Sequence, residues 1–262
     1  MLVDLHAHIL PGLDDGPENL EEALEMAAGH EAAGFLRVVA TPHWVAESFW
    51  QPAPEKVLKC LAGFRRSLAQ RGIGLEVAPG MEIAMTSGIS ALIRTGQVLT
   101  LNGGVYVLVE PPFQQLPVGW EQIFFELSAQ GHRVLVAHPE RCSHLARERE
   151  VLKKMINMGV GIQVNWKSLL GRYGETIRET AWSFLEGGLA HCLATDGHGP
   201  GDVTAEDLDR MKRALSERLG DERARLLVEE NPSRVWAGEP LKEVSPMNKT
   251  RKKAWRGWFK WH

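Results

Sequence analysis

The sequence predicts an α/β protein in which seven β-then-α units share a parallel sheet, and three observations carry this prediction. Short apolar or β-branched runs alternate with longer helical patterns along most of the chain. The short runs are continuous rather than alternating, as in Val105–Val109, which is typical of parallel strands covered on both faces. The length of 262 residues and the 44% apolar content suit a single barrel domain of about 200–250 residues.

The predicted elements follow in order along the chain. Strands are expected at Leu2–Leu5, Leu36–Ala40, Leu75–Ala78, Val105–Val109, Val134–Ala137, Gly161–Val164 and Cys192–Ala194. Helices are expected in the gaps between strands, for example at Glu18–Ala33, Glu55–Arg71, Gly119–Gln130, Glu148–Met158 and Glu175–Glu186. Gly34 and Gly72 follow the first two helices, where glycine readily adopts the left-handed conformation that ends a helix.

The pattern of strands and helices stops after about Gly238. We therefore expect a barrel domain over residues 1–238 and a basic aromatic C-terminal tail over residues 239–262. From Lys249 to His262 the tail holds six Lys or Arg and no acid, interleaved with three tryptophans and one phenylalanine. This composition is typical of an interfacial membrane anchor, and an unstructured tail is the alternative.

The composition excludes several classes of protein. A net charge of -3 and a pI near 6.4 offer no broad basic surface for nucleic acid. The cysteines Cys60, Cys142 and Cys192 lack the spacing of a disulfide framework or zinc ribbon, which favours a reducing compartment. No apolar run approaches the roughly 18 residues that span a bilayer. We expect a cytoplasmic protein whose tail makes weak contact with the inner face of the membrane.

Polar side chains recur directly after the carboxyl ends of the predicted strands. His6 and His8 follow the first strand, and because residues i and i+2 of an extended segment point to the same side, both imidazoles can bind one ion. The later strands are followed by His43, Glu82, Glu110, His138, Asp196 and His198. In a parallel barrel these loops converge on the face that carries active sites, so we expect one pocket.

These donors, with one of the neighbouring pair Asp14 and Asp15, are more than a single ion can use. Two or three divalent ions are therefore expected, and ions about 3.5–4 Å apart can share a carboxylate and activate water for attack on phosphorus. The mixture of imidazole and carboxylate suits Mn, Fe or Zn, and the carboxylate content favours Mn or Fe. Mn is the ion we expect first.

Six short motifs carry a resemblance to known enzymes. They are Asp4-Leu5-His6-Ala7-His8, Thr41-Pro42-His43, Gly80-Met81-Glu82-Ile83, Glu110-Pro111, His138-Pro139-Glu140-Arg141 and Thr195-Asp196-Gly197-His198. Together they resemble the motifs of the polymerase-and-histidinol-phosphatase (PHP) metallohydrolases. Asp14–Pro17, Glu110 and His138–Arg141 more narrowly resemble the bacterial CpsB/YwqE-type protein-tyrosine phosphatases, which act beside tyrosine kinases of capsule and exopolysaccharide synthesis. The resemblance covers roughly residues 1–237.

The resemblance implies a distorted TIM-like (β/α)7 barrel of PHP type with a three-metal site. It assigns His6, His8, Glu82 and Asp196 to the first ion, Glu82, Glu110 and His138 to the second, and Asp15, His43 and His198 to the third. Arg141 would grip phosphate, because a guanidinium offers a fork matched to phosphoryl oxygens. Arg141, Asp196 and His198 are the catalytic residues expected on this basis.

The chain departs from the family after the last motif. The family usually continues to an Arg-Pro-Pro segment that adds a second basic contact, whereas residues 199–203 read Gly-Pro-Gly-Asp-Val and the next arginine is Arg210. We expect this difference to bear on substrate binding rather than on metal binding. Asn165 and Trp166, which follow the sixth strand, are expected to line the pocket.

Three further residues have simpler expected roles. Asp14 is expected to cap the helix that begins near Pro17, and Glu140 to form a surface ion pair with Arg141. Cys60 has the C-x5-R spacing of cysteine-dependent phosphatases. Because it lies in a helical pattern at core spacing, we expect a small buried hydrophobe instead.

The function expected from these observations is metal-dependent hydrolysis of phosphotyrosine in a partner protein, with a bacterial tyrosine kinase as the expected substrate. Two alternatives stay open. One is a small-molecule phosphatase with the same metal site, such as a histidinol-phosphatase. The other is a non-catalytic adaptor that docks a kinase at the membrane through the tail, although the retention of every ligand position argues against it.

Overall fold

The computed structural model describes residues 1–247, and its elements follow in chain order. The strands are β1 (Leu2–Ala7), β2 (Phe35–Ala40), β3 (His43–Trp44), β4 (Glu76–Pro79), β5 (Glu82–Ala84), β6 (Tyr106–Glu110), β7 (Arg133–Ala137), β8 (Gly161–Asn165) and β9 (Cys192–Ala194). The helices are α1 (Leu20–Ala32), α2 (Pro54–Arg71), α3 (Ile89–Arg94), α4 (Trp120–Ala129), α5 (Ser143–Arg147), α6 (Arg149–Asn157), α7 (Trp166–Leu169), α8 (Glu175–Glu186), α9 (Ala205–Leu219), α10 (Asp221–Arg225) and α11 (Asn231–Trp236).

The strands form two parallel sheets with the orders β1-β2-β4 and β3-β5-β6-β7-β8-β9. Residues 41–42 separate β2 from β3, and residues 80–81 separate β4 from β5. Because β3 and β5 continue the direction of β2 and β4, the strands amount to seven in one parallel series. A bridge between Ala7 and Gly197 links β1 to the segment after β9. This is the distorted seven-unit barrel arrangement, and the predicted α/β class is confirmed.

Alternate residues of the strands face two different apolar regions. In β6, Tyr106 and Leu108 belong to a cluster enclosed by the strands, whereas Val107 and Val109 belong to the larger cluster between strands and helices. All four are at most 1% exposed. Burial on both faces explains why this strand is apolar without alternation.

The predicted secondary structure agrees with the observed elements. Each predicted strand and helix overlaps an observed one, with ends that differ by at most two residues. The sequence pattern does not predict β3 and β5 or the short helices α3, α5, α7, α10 and α11, because strands of two or three residues and helices of four to six carry little periodic signal. Gly34 and Gly72 have φ angles of 93° and 69°, in the left-handed region that the sequence predicts for them.

The start of α1 differs from the prediction. The residue that caps this helix is Asn19, whose side-chain oxygen accepts a hydrogen bond from the backbone N–H of Glu22. The predicted role of Asp14 was wrong. Its carboxylate is engaged by the imidazole of His8 and the backbone of His43 instead, since the loop after β1 folds over the barrel mouth.

Residues 239–247, the first part of the predicted tail, lie against the amino ends of the strands. Asn231 holds Lys242 through two hydrogen bonds, of 2.8 Å from the Lys242 backbone N–H and 3.0 Å to its carbonyl. Residues 248–262, and with them the predicted membrane anchor, lie outside the described residues. Over the described part of the chain, no helix combines the length and apolar character that crossing a membrane demands.

We expect His191 to make the stability of the barrel depend on pH. It lies at the amino ends of the strands, where its Nδ1 accepts a hydrogen bond from the backbone N–H of Ile162, and burial lowers its pKa to about 4. Because the folded state holds the neutral ring, this stabilisation is complete above the unfolded pKa of about 6.5 and is lost as pH falls towards 4. The difference corresponds to about 3 kcal/mol.

We therefore expect His191→Asn, whose amide oxygen can accept the same hydrogen bond, to remove that pH dependence. Urea unfolding at pH 7 and pH 4.5 measures it. The wild-type protein should lose more free energy of unfolding over this interval than the variant does, by up to about 3 kcal/mol. Equal losses in the two proteins would show that His191 is not the titrating group.

Candidate metal centre

The loops at the carboxyl ends of the strands bring all nine predicted ligands together. Their donor atoms form four overlapping groups, and within each group the atoms lie within 4.8 Å of one another. The groups are His8, Asp15, His43 and His198; His6, His138 and Asp196; His6, His8 and Glu82; and His43, Glu82 and Glu110. His8 therefore lies beside the set predicted for the third ion as well as beside the first. That these residues are metal ligands stays a prediction.

The two histidines of β1 and the following loop point their Nε2 atoms at a common space. These atoms are 3.2 Å apart, and both rings are buried. The Nδ1 atom of His6 lies 3.0 Å from Oε1 of Gln163, and that of His8 lies 2.6 Å from Oδ2 of Asp14. Such partners fix the tautomer and orientation of an imidazole that binds metal through its other nitrogen.

The Glu82 carboxylate is the point on which the imidazoles converge. Its Oε2 lies 3.3 Å from His6 Nε2, 3.4 Å from His8 Nε2 and 3.0 Å from His43 Nδ1. Among the described residues, Glu82 Oε2 and His43 Nδ1 are buried without a partner of hydrogen-bonding geometry. Donors about 2.1 Å from one ion lie roughly 3.0–3.4 Å apart, depending on geometry. The observed distances therefore match donors that share a divalent ion better than donors that hydrogen-bond to one another.

The two oxygens of Asp196 face different groups. Oδ1 lies 3.3 Å from His6 Nε2 and 3.4 Å from His8 Nε2. Oδ2 accepts hydrogen bonds from Arg141 at 3.0 Å and from Asn165 at 2.7 Å. One oxygen is thus available as a ligand while the other is held by the protein, which is how ligating carboxylates are commonly fixed.

The ligand sets predicted for the second and third ions are less compact than the set for the first. His138 Nε2 lies 3.0 Å from Glu82 Oε1 and 3.8 Å from Glu110 Oε1. Asp15, which is exposed, places Oδ1 3.5 Å from His43 Nε2 and 3.4 Å from His198 Nε2. The third set thus lies nearest to solvent.

The carboxylates and imidazoles strongly shift each other's pKa values. Burial alone would lower the pKa of His138, but the hydrogen bond and charge of Glu82 raise it to about 9. Burial and the negative charge of Glu82 raise the pKa of Glu110. Because metal binding requires neutral imidazoles and ionised carboxylates, protons and ions compete for this centre. A divalent cation relieves both the repulsion between carboxylates and the burial of their charge.

Backbone conformation also turns ligands into the pocket. His138 and Asp196 each follow a strand and have φ angles of 30° and 50°, in a region that residues other than glycine rarely adopt. Such strain persists only where the surroundings enforce it, and it clusters at functional sites. At Gly16 a Cβ atom would lie 2.3 Å from the carbonyl oxygen of His8, so the loop that carries Asp15 requires glycine there.

Arg141 lies at the mouth of the pocket between two aromatic rings. Its guanidinium carbon is 4.8 Å from the ring centre of Phe113 and 4.6 Å from that of Tyr173. Its ionic partner is Asp196, and the predicted surface pair with Glu140 was wrong. Glu140 is 2% exposed, and its Oε1 accepts hydrogen bonds from the Asn165 backbone and the Ser168 hydroxyl instead.

Sequence reasoning missed Lys167, which is buried behind the pocket. Its Nζ lies 3.0 Å from Asp202 Oδ2, and the same oxygen accepts the backbone N–H of His198 at 2.9 Å. Lys167 also interacts electrostatically with Tyr173, whose pKa burial raises. It thus links the loop of His198 to the ring that supports Arg141. No pattern around Lys167 signals this role, because Asp202 lies 35 positions away in sequence.

We expect Lys167→Met to destabilise the protein by about 1–3 kcal/mol. The substitution leaves Asp202 without its cation, and since that carboxylate is 29% exposed water replaces part of the interaction. Lys153→Met is the matched control, because its ion pair with Glu150 is 50% and 80% exposed and should contribute under about 1 kcal/mol. Chemical denaturation measures both, and equal shifts would contradict the prediction.

Other predictions near the pocket have mixed outcomes. Asn165 is buried and does not line the metal pocket, although it bonds Asp196 as described above. Trp166 is 1% exposed and packs edge-on against Phe35 in the core. Trp166 therefore does not line the metal pocket. Gln163 was missed as the partner of His6, although a lone polar residue inside an apolar strand was the available signal. Cys60 is partly buried within α2, as its helical pattern predicts.

The metal pocket is small, and its walls combine charged and apolar side chains. Its volume is about 250 Å³, and it is lined by Asp15, His43, Val45, Trp50, Glu110, Phe113, His138, Arg141, Tyr173, Asp196 and His198. A second cavity of about 410 Å³ lies at the other end of the barrel, beside Tyr106, His191 and Leu241. That cavity contains none of the predicted ligands.

Comparison with known proteins gives consistent matches. The family described as "Capsular polysaccharide synthesis, CpsB/CapC" matches residues 2–237. YwqE of Bacillus subtilis, a tyrosine-protein phosphatase, is 30% identical over 197 residues, which are 75% of this chain and 77% of YwqE. CpsB of Streptococcus agalactiae serotype III, also a tyrosine-protein phosphatase, is 29% identical over 242 residues, covering 89% of this chain and 98% of CpsB.

The fold has a close structural counterpart. It superposes with a TM-score of 0.85 on a structure from work on YwqE from Bacillus subtilis and CpsB from Streptococcus pneumoniae, which are described as unique metal-dependent tyrosine phosphatases. The match covers 95% of this chain and 100% of the other at 26% identity. The similarity therefore extends over the barrel and the loops that carry the candidate centre.

Proposed function

Because this chain belongs to the CpsB/CapC family, we propose that it is a metal-dependent phosphatase that removes phosphate from phosphotyrosine in a partner protein. The observation that carries the proposal is the convergence of nine imidazole and carboxylate donors, with Glu82 at the centre. Relatives named as tyrosine-protein phosphatases and the metal dependence of the structural counterpart support it.

The proposed ligands divide among three divalent ions. His6, His8, Glu82 and Asp196 hold the first, Glu82, Glu110 and His138 the second, and Asp15, His43 and His198 the third. Mn²⁺ is the ion we propose first, because the set combines imidazoles with several carboxylates. Bound ions of this kind supply Lewis acidity, which activates water and offsets charge on phosphoryl oxygens.

Arg141 has the chemistry and position to bind the phosphoryl group. It lines the pocket, and the two rings beside it restrict its guanidinium. A guanidinium has five N–H donors, so its bond to Asp196 leaves donors for phosphate oxygens. Holding the phosphoryl group in line for attack is the main contribution that a protein makes to such a transfer.

The leaving group favours tyrosine over serine. The phenol of tyrosine has a pKa of about 10, well below that of an aliphatic alcohol, so tyrosinate departs with less need for a proton donor. We propose that the substrate is a bacterial tyrosine kinase of capsule or exopolysaccharide synthesis, in the cytoplasm. The capsular description of the family and the names of the relatives support this choice.

The test is hydrolysis by protein that has been stripped with a chelator and then reloaded with Mn²⁺. Three substrates are compared at equal concentration: a phosphotyrosyl peptide, a matched phosphoseryl peptide and histidinol phosphate. We expect phosphate release from the phosphotyrosyl peptide, and only after metal is restored. Elemental analysis of the reloaded protein measures how many ions it holds.

Other outcomes would change the conclusion. Activity on histidinol phosphate alone would retain the metal centre and replace the substrate. A protein that binds Mn²⁺ but hydrolyses none of the three would support the adaptor instead. If the phosphotyrosyl peptide is hydrolysed, the phosphorylated cytoplasmic domain of a capsule tyrosine kinase is the next substrate to test.

A further inference from the structure

Three exposed aromatic side chains lie in the two loops that border the metal pocket. Phe49 and Trp50 lie in the loop between β3 and α2, and Phe113 lies in the loop between β6 and α4. They are 105%, 37% and 50% exposed. We call these three residues the aromatic rim. Clustered apolar groups that remain in contact with water commonly mark a binding surface, because burying them is favourable.

Two residues of the aromatic rim stack against candidate ligands. The ring of Trp50 stacks on His43 with centres 5.0 Å apart and planes 14° apart. The ring of Phe113 stacks on His138 with centres 6.4 Å apart and planes 28° apart. His43 and His138 approach different oxygens of Glu82, each at 3.0 Å. The two rings therefore flank the centre from two directions, and both line the pocket.

The position of Arg141 places the phosphate relative to these rings. Its guanidinium lies on the Phe113 ring, so a phosphoryl group held by Arg141 is also beside that ring. Because Trp50 and Phe113 both line the pocket, the group that carries the phosphate leaves it beside these two rings. A flat aromatic group suits this passage, because aromatic rings attract one another in offset or edge-on contacts.

The size of the pocket limits what enters it. A volume of about 250 Å³ is below the roughly 300–1,000 Å³ of sites for whole drug-sized ligands. It therefore suits one phosphorylated side chain, and the peptide that carries this side chain must remain outside. Phe49, which is fully exposed beside Trp50, offers an apolar surface for the flanking residues.

We propose that Trp50 and Phe113 clamp the phenyl ring of phosphotyrosine and that Phe49 contacts the flanking peptide, so that the aromatic rim determines specificity. This inference rests on the proposed phosphatase function. The occupant is an extended phosphotyrosyl segment of a partner protein, since the rim is continuous with the pocket that holds Arg141. Phosphoserine has no ring, so it offers Trp50 and Phe113 nothing to clamp.

Trp50→Ala is the most direct test. Phe113 is less suitable, because its ring also contacts Arg141. Two quantities are measured on Mn²⁺-reloaded protein. They are the KM for a phosphotyrosyl peptide and the inhibition constant of inorganic phosphate, which has no ring. We expect the KM to rise about fivefold to tenfold, with the inhibition constant of phosphate changed less than twofold. Trp50→Phe should restore most of the affinity for the peptide.

Phe125→Ala is the matched control, because Phe125 is a 63% exposed aromatic residue on α4, and it should behave as wild type. Metal content is measured for each variant, since Trp50 touches His43. An unchanged KM in Trp50→Ala, or equal increases in the KM and the phosphate inhibition constant, would overturn the specificity role while the phosphatase function stands. If the wild-type protein does not hydrolyse the peptide, the proposed function fails and this inference fails with it.

Discussion

Asp196→Asn is expected to reduce kcat/KM for a phosphotyrosyl peptide by at least about a thousandfold and to leave the fold intact. The Oδ1 atom of Asp196 lies within 3.4 Å of two imidazole nitrogens, and a neutral amide is a poor substitute for a ligating carboxylate. The loss of a group that positions and neutralises charge in the transition state is of this order. The side chains have nearly the same shape, so packing is preserved.

The measurement combines steady-state kinetics, circular dichroism and metal content. His138→Ala should lose activity similarly, because His138 approaches both Glu82 and Glu110. Asp209→Asn is the matched control, since Asp209 is exposed on α9 and should retain wild-type activity. Wild-type activity in Asp196→Asn would remove this residue from the proposed centre. Loss of ordered structure in the variant would assign its role to folding instead.

Arg141→Ala is expected to lower kcat/KM by about 30-fold to 1,000-fold, which corresponds to about 2–4 kcal/mol of transition-state stabilisation. The expected cause is loss of the guanidinium that the Phe113 and Tyr173 rings hold at the pocket mouth. Arg141→Lys should recover only part of this loss, because lysine keeps the charge but lacks the planar fork and stacks less well on aromatic rings.

The inhibition constant of inorganic phosphate separates binding from turnover in these variants. We expect it to increase in Arg141→Ala, since the phosphate group loses its main protein donor. Arg147→Ala is the control, because Arg147 is an exposed arginine in the nearby helix α5. Unchanged kcat/KM and phosphate inhibition in Arg141→Ala would exclude Arg141 from the mechanism.

Much of this molecule follows from local patterns in the sequence. Continuous apolar runs predict buried parallel strands, and the order of strand and helix predicts that polar residues such as His43 and Glu110 end on one face. The spacing of His6 and His8 predicts two imidazoles on one side. The structure brings these residues together at the carboxyl ends of the strands, since the register of a parallel barrel leaves the ends of its strands little freedom.

The partners of the individual side chains could not be predicted in the same way. Asp14 orients His8 instead of capping a helix, and Glu140 is bonded to the loop after β8 instead of to Arg141. Lys167 reaches Asp202 across 35 positions of sequence. Such contacts depend on how separate loops pack over the barrel mouth, and loop conformation carries no periodic signal from which partners can be inferred.

The sequence by itself therefore determined the α/β class, the direction of the strands and the set of donors that meet at one end. Only the tertiary structure decided which carboxylate oxygen faces which imidazole and which aromatic rings lie at the pocket mouth. It also decided that Lys167 lies beside Tyr173, the ring that contacts Arg141. The physical reason is that backbone periodicity is local, whereas hydrogen bonds and ring contacts between loops arise only once the barrel brings distant residues together.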